Sequence, residues 1–98
     1  METQYFSFQE LCNVTALPSH ILIEIVDNGI VDPEGNGPET WLFNTHMISL
    51  TKKACRLHDD LEIDWSGIAL AISLLEELEQ VRYENQQLRA QLSRFVTD

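Results

Sequence analysis

From Met1 to Thr51 the chain contains no lysine and no arginine. That half carries Glu2, Glu10, Glu24, Asp27, Asp32, Glu34 and Glu39, so it lacks the cations that neutralise phosphates and drive nucleic-acid binding. All six basic residues come later, against 16 acidic ones, for a net charge of -10. Cysteine is equally scarce: Cys12 and Cys55 stand far apart, each within an apolar helical pattern, without the close pairing of a zinc site or redox motif. Both read as buried, reduced thiols, which suits a reducing compartment. Long apolar runs are missing too. None approaches the roughly 20 residues that span a bilayer, and Met1-Glu2-Thr3-Gln4 has no basic region of a secretion signal, so a soluble cytoplasmic protein is expected. His20, His46 and His58 have no neighbouring ligand or triad pattern, and no Gly-rich phosphate loop is present. No enzyme activity, metal or cofactor is therefore expected.

What is present suffices for one compact core: 98 residues, 44% of them hydrophobic. Ser7-Phe8-Gln9-Glu10 forms a capping box, with Phe6 and Leu11 placed as a hydrophobic staple, and predicts a first helix from Phe8 to about Val14. Pro18 suits the first turn of a second helix running to Asn28, with Leu22, Ile25 and Val26 as its core stripe and Gly29 as a left-handed cap. Ile30-Val31 and Thr40-Trp41-Leu42-Phe43, around the Gly/Pro-rich loop from Asp32 to Glu39, read as a small two-stranded wing. Asn44 or Thr45 caps a third helix whose apolar positions are Met47, Leu50, Ala54, Leu57 and Leu61.

Asp64 or Ser66 then starts a helix from Trp65 to about Phe95, roughly 45 Å long at 1.5 Å per residue, more than so small a core can cover. Read in heptads, Ala71, Leu78, Asn85 and Leu92 fall at a, and Leu74, Val81, Leu88 and Phe95 at d. Glu77 and Glu84 at g precede Arg82 and Arg89 at e by five positions, the spacing of charge pairs between two parallel helices. A homodimer is expected through Leu74, Leu78, Val81, Asn85, Leu88, Leu92 and Phe95; the alternative is that the helix folds back on its own domain. The organisation is thus a module of residues 1–63 and a dimerisation helix of residues 64–98, in one mainly α winged helix-turn-helix structure.

In a winged helix that reads DNA, the second helix presents Arg, Lys, Asn or Gln to base edges. Here its outward residues are Ser19, His20, Ile23, Glu24 and Asp27, and the wing adds carboxylates instead of an arginine. This argues against direct DNA binding.

The order of elements resembles MerR-type regulators, and the chain is more closely similar to the CbpM family of chaperone modulators. The resemblance is carried by Glu24-Ile25-Val26 with Gly29-Ile30-Val31 and Pro33, Thr40-Trp41-Leu42-Phe43, and Ala54 through Arg56-Leu57 to Leu61. It continues in Asp64-Trp65 with Gly67-Ile68-Ala69, and in Glu84-Asn85 through Leu88-Arg89 to Leu92-Ser93-Arg94-Phe95-Val96. Pro18 departs from it, since the second helix of relatives often begins with a hydroxyl cap. The resemblance implies a protein that binds the J-domain of CbpA, a DnaJ-like co-chaperone that also binds curved DNA, and inhibits its activities. It would meet the nucleoid through that partner.

J-domains typically expose a basic helix beside their His-Pro-Asp loop, and an acidic surface complements it. The partner-binding face is therefore expected at Arg56, Asp59, Asp60, Glu62, Asp64 and Trp65. Trp65 follows four carboxylates at a helix start and could be the apolar anchor; its alternative is an ordinary core tryptophan. Trp41 reads as core or wing packing, and Ile23 as a possible exposed contact. The rival reading is a MerR-like transcriptional regulator acting on DNA directly or through a partner.

Overall fold

The computed structural model describes residues 4–96; residues 1–3, which hold most of the Met1-Glu2-Thr3-Gln4 start, and residues 97–98 lie outside the described residues. Its elements in chain order are β1 (Tyr5–Ser7), α1 (Phe8–Thr15), α2 (Ser19–Asp27), β2 (Leu42–Asn44), α3 (Thr45–Leu61) and α4 (Trp65–Val96). Local chemistry sets most of the boundaries. Ser7 and Glu10 form the expected capping box, Ser7 Oγ accepting from the Glu10 amide at 3.1 Å and Glu10 Oε1 from the Ser7 amide at 2.9 Å. Gly29 closes α2 at φ +76, its N–H donating to the Val26 carbonyl and that of Ile30 to Ile25, both at the distances of ordinary hydrogen bonds. Pro18 sits one position before α2 and makes no side-chain cap. Its carbonyl accepts from Ile21 and Leu22, so the helix starts without a hydroxyl cap. Asn44 caps α3 through Oδ1, which accepts from the Met47 amide at 2.9 Å.

The wing is built differently from its expected form. β2 pairs antiparallel with β1, in the register Tyr5–Asn44, Phe6–Phe43 and Ser7–Leu42, instead of with Ile30-Val31. Ile30 and Val31 are buried without strand structure, and the loop returns only as a single bridge in which Glu34 and Leu42 exchange both backbone hydrogen bonds. The reason is local: Ile30 is tied into the cap of α2, and Pro33 has no N–H to extend a ladder. The loop is held by the Thr40 hydroxyl, which accepts from the Asn36 amide at 3.0 Å and the Gly37 amide at 3.3 Å. Gly35 is required there. At φ +114, a Cβ on it would meet the Thr40 carbonyl oxygen at 2.6 Å.

The core gathers Leu11 from α1, Leu22 and Ile25 from α2, Ile30 and Val31, Phe43 from β2, Ile48 and Ala54 from α3, and Trp65, Ile68 and Ile72 from α4. Phe8, Trp41 and Phe43 form a train of edge-to-face rings with centroids 5.7 and 6.1 Å apart, which places Trp41 in packing. The buried line of α3 is Ile48, Thr51 and Ala54, shifted from the expected one; Met47, Leu50 and Leu57 flank it half-buried, and Leu61 is 51% exposed. Thr51 can occupy the centre because its hydroxyl is satisfied by the Met47 carbonyl one turn back, at 2.8 Å.

Only the first turns of α4 belong to this core. From Ser73 to Val96 every residue is exposed, and the helix carries the molecule to a length of 59 Å. It does not fold back on its own domain. No helix among the described residues is long and apolar enough to cross a membrane.

Candidate functional site

The expected partner-binding residues lie where α3 ends and α4 begins, at a chain reversal of three residues between Leu61 and Trp65. Glu62 caps α3 in the left-handed conformation at φ 54, its amide donating to the His58 carbonyl. Two residues on, Asp64 begins α4: its Oδ1 accepts from the Gly67 amide at 2.9 Å and from the Ser66 hydroxyl at 3.0 Å. These two bonds, the backbone one foremost, hold the Asp64 carboxyl below its ordinary value of 3.8. Gly67 keeps this approach open, since a Cβ there would stand 3.2 Å from both Asp64 Oδ1 and Ile63 Cδ1.

The reversal folds Trp65 against His58, with ring centroids 4.1 Å apart and planes within 5° of parallel. Trp65 is only 9% exposed and belongs to the core, so it is the ordinary core tryptophan and not a projecting anchor. His58, absent from the expected set, caps its ring. The proximity of residues 58 and 65 is created by the turn, and no spacing motif in the sequence announces it.

Around this stack Asp59, Asp60, Glu62 and Asp64 are all exposed. Asp59, Glu62, His58, Ile63 and Asp64 line one open depression. Leu17, Ile21, Cys55, His58, Asp59 and Trp65 line a smaller cleft beside it. Asp60 and Arg56 are exposed on α3 but line neither. Among the described residues the only ion-pair contact is His58 Nδ1 to Asp59 Oδ1, long at 3.9 Å. No lysine or arginine forms an ion pair with these carboxylates, although Arg56 is exposed one turn before Asp59 and Asp60 on α3. Both cysteines are free and half-buried, less enclosed than expected. Burial pushes the Cys55 thiol up, and the Asp59 charge one turn away adds to it. Among the described residues no group of three or more His, Cys, Asp or Glu side chains could hold a metal ion.

The outward side of α2 presents Ser19, His20, Glu24 and Asp27, all exposed, with Ile23 half-buried among them instead of projecting. Along α4 the expected pairing residues Leu74, Leu78, Val81, Asn85, Leu88, Leu92 and Phe95 are exposed, Phe95 to 84%. Glu84 accepts from Gln80 on its own helix, while Arg82 and Arg89 make no ion pair among the described residues.

Comparison with known proteins agrees with this arrangement. Residues 6–90 match the MerR HTH family regulatory protein model. The chain is 47% identical over 86 residues to a chaperone modulatory protein CbpM of Pseudomonas putida strain GB-1, covering 88% of this chain and 85% of that one. The chain belongs to the CbpM family. It is also 39% identical over 94 residues to the CbpM of Citrobacter koseri, covering 96% and 93% of the two chains. The CbpM of Escherichia coli O1:K1 is 38% identical over 94 residues, with the same coverage. These relatives are named as modulatory proteins, and this member has the mainly α, MerR-like fold with a chaperone-modulating role.

The Asp64 cap gives a pH signature. Its folded-state pKa is lowered, so its stabilisation is fully present above 3.8 and is lost as pH falls through the lower folded value. Asp64→Ala is expected to lower the melting temperature at pH 7 by several degrees, with the gap to the parent closing as pH drops through that window. A gap independent of pH in thermal melts by circular dichroism contradicts a role for the charge.

Proposed function

We propose that this protein binds the J-domain of the DnaJ-like co-chaperone CbpA and inhibits its co-chaperone and DNA-binding activities by masking the surface that faces Hsp70. The observation that carries this reading is the exposed acidic corner of Asp59, Asp60, Glu62 and Asp64, none of which forms an ion pair with a lysine or arginine. A basic helix is its electrostatic complement. Long-range attraction speeds encounter and fixes orientation, whereas desolvated apolar contacts contribute most of the affinity. Arg56, one turn earlier on α3, borders the contact, and Trp65 stiffens it from beneath. The protein acts in the cytoplasm as a non-enzymatic binding module and meets the nucleoid only through its partner.

The MerR relationship favours one rival, direct action on DNA. Against it stands the outward side of α2, where Glu24 and Asp27 occupy positions that would face the duplex and no cation accompanies them.

The same reading includes a homodimer: residues 1–63 form the binding module and residues 64–98 the pairing helix. Exposed Leu78, Val81, Leu88 and Leu92 form an apolar seam too extensive to be left in water, and Asn85 within it sets register.

Two measurements test these statements. Mixed with the isolated J-domain, the protein is expected to form a complex that weakens as salt rises. Asp59→Lys, Asp60→Lys and Glu62→Lys together should slow association about tenfold at low salt while leaving the melting temperature nearly unchanged. Unaltered stopped-flow association rates would place the contact elsewhere. For the seam, Leu78→Glu with Leu88→Glu is expected to convert a dimer to a monomer in sedimentation equilibrium; a parent protein that sediments as a monomer at high micromolar concentration refutes the pairing helix.

A further inference from the structure

We infer that the cleft lined by Leu17, Ile21, Cys55, His58, Asp59 and Trp65 receives one aliphatic side chain projecting from a basic helix of the partner. This deepens the proposed J-domain reading and rests on it. The cleft lies where the loop before α2, the last turns of α3 and the first residue of α4 meet. Its volume is about 220 Å³, below the roughly 300–1,000 Å³ of small-molecule sites and suited to a single side chain.

Its walls are preformed. Trp65 is fixed in the core and stacked on His58, and Leu17 and Ile21 pack against the same core. The Cys55 thiol in its lining is pushed up by burial and by Asp59, so at neutral pH it presents an uncharged, weakly polar surface. The floor thus favours an alkyl group.

The rim decides what carries that group. His58 and Asp59 are shared with the open depression that also holds Glu62, Ile63 and Asp64, so one edge of the apolar cleft runs directly into carboxylates. A side chain flanked by lysines or arginines on a helix meets both surfaces together. A second copy of this chain would bring further carboxylates to the same edge, given a net charge of -10, and is disfavoured there. An anion is repelled for the same reason. An apolar cleft with a polar edge is the arrangement of an interface hot spot, where one buried anchor outweighs the surrounding polar contacts. The pairing seam begins at Leu74, about 14 Å further along α4 at 1.5 Å per residue, so occupation of the cleft and pairing do not compete.

The two free thiols make the test possible with the unmodified protein. Cys55 lines the cleft, whereas Cys12 lines a separate depression with Phe8, Gln9, Asn13 and Ser19 and serves as internal control. Saturating CbpA J-domain is expected to slow iodoacetamide alkylation of Cys55 by at least about tenfold and leave Cys12 unaffected. Cys55→Met, whose side chain occupies the cleft, should raise the dissociation constant about tenfold with an unchanged circular dichroism spectrum. A complex in which Cys55 reacts at its free rate, or whose affinity survives Cys55→Met, overturns the inference and leaves the J-domain reading standing. No complex at low salt overturns both.

Discussion

Three buried side chains, Trp65, Ile68 and Ile72, tie a helix of 32 residues to a core drawn from a chain of 98. Everything else in the molecule follows from how that junction is made. The α3–α4 turn must reverse the chain in three residues, and it does so with a left-handed Glu62, a capping Asp64 and a glycine at position 67. The reversal lays His58 flat on Trp65 and so closes the end of the core. The remainder of α4 leaves the domain, exposed from Ser73 to Val96.

The junction also determines the character of the surface. The N-terminus of α4 favours a carboxylate that caps its amides, which accounts for Asp64; Asp59, Asp60 and Glu62 stand instead at the C-terminal end of α3, where the helix dipole gives carboxylates no stabilisation. Their accumulation without a lysine or arginine partner gives the corner a negative field beside an apolar cleft. Charge and cavity therefore adjoin at the same turn, sharing His58 and Asp59. The MerR-like framework is retained while the electrostatics that would suit it to a polyanion are absent, which is consistent with the chaperone-modulating role of the family.

Much of the fold was legible because it rests on local chemistry. The Ser7–Glu10 box, the Gly29 cap and the Asn44 cap stand where side-chain types alone place them. Pairing across the chain was less so. Tyr5–Ser7 is too short to display alternation, and its union with Leu42–Asn44 depends on Phe6 and Phe43 meeting in the core, which no window of sequence contains. Thr51 reads as polar, yet its hydroxyl bonds within the helix and its methyl side can be buried, which shifts the line of α3. At the site, the carboxylates could be named because they are contiguous. His58 could not, because its contact with Trp65 exists only after the chain has turned, and the same contact withdraws Trp65 from the surface.

The central claim is that the α3–α4 corner, and not α2 or the far half of α4, meets the co-chaperone. An NMR titration of the isotopically labelled protein with unlabelled J-domain tests this directly. The account predicts amide shift changes concentrated at Leu17 to Ile21 and Cys55 to Asp64, with residues beyond Leu74 little affected. Changes confined to the outward side of α2 around His20 and Glu24, or to the distal half of α4, contradict it.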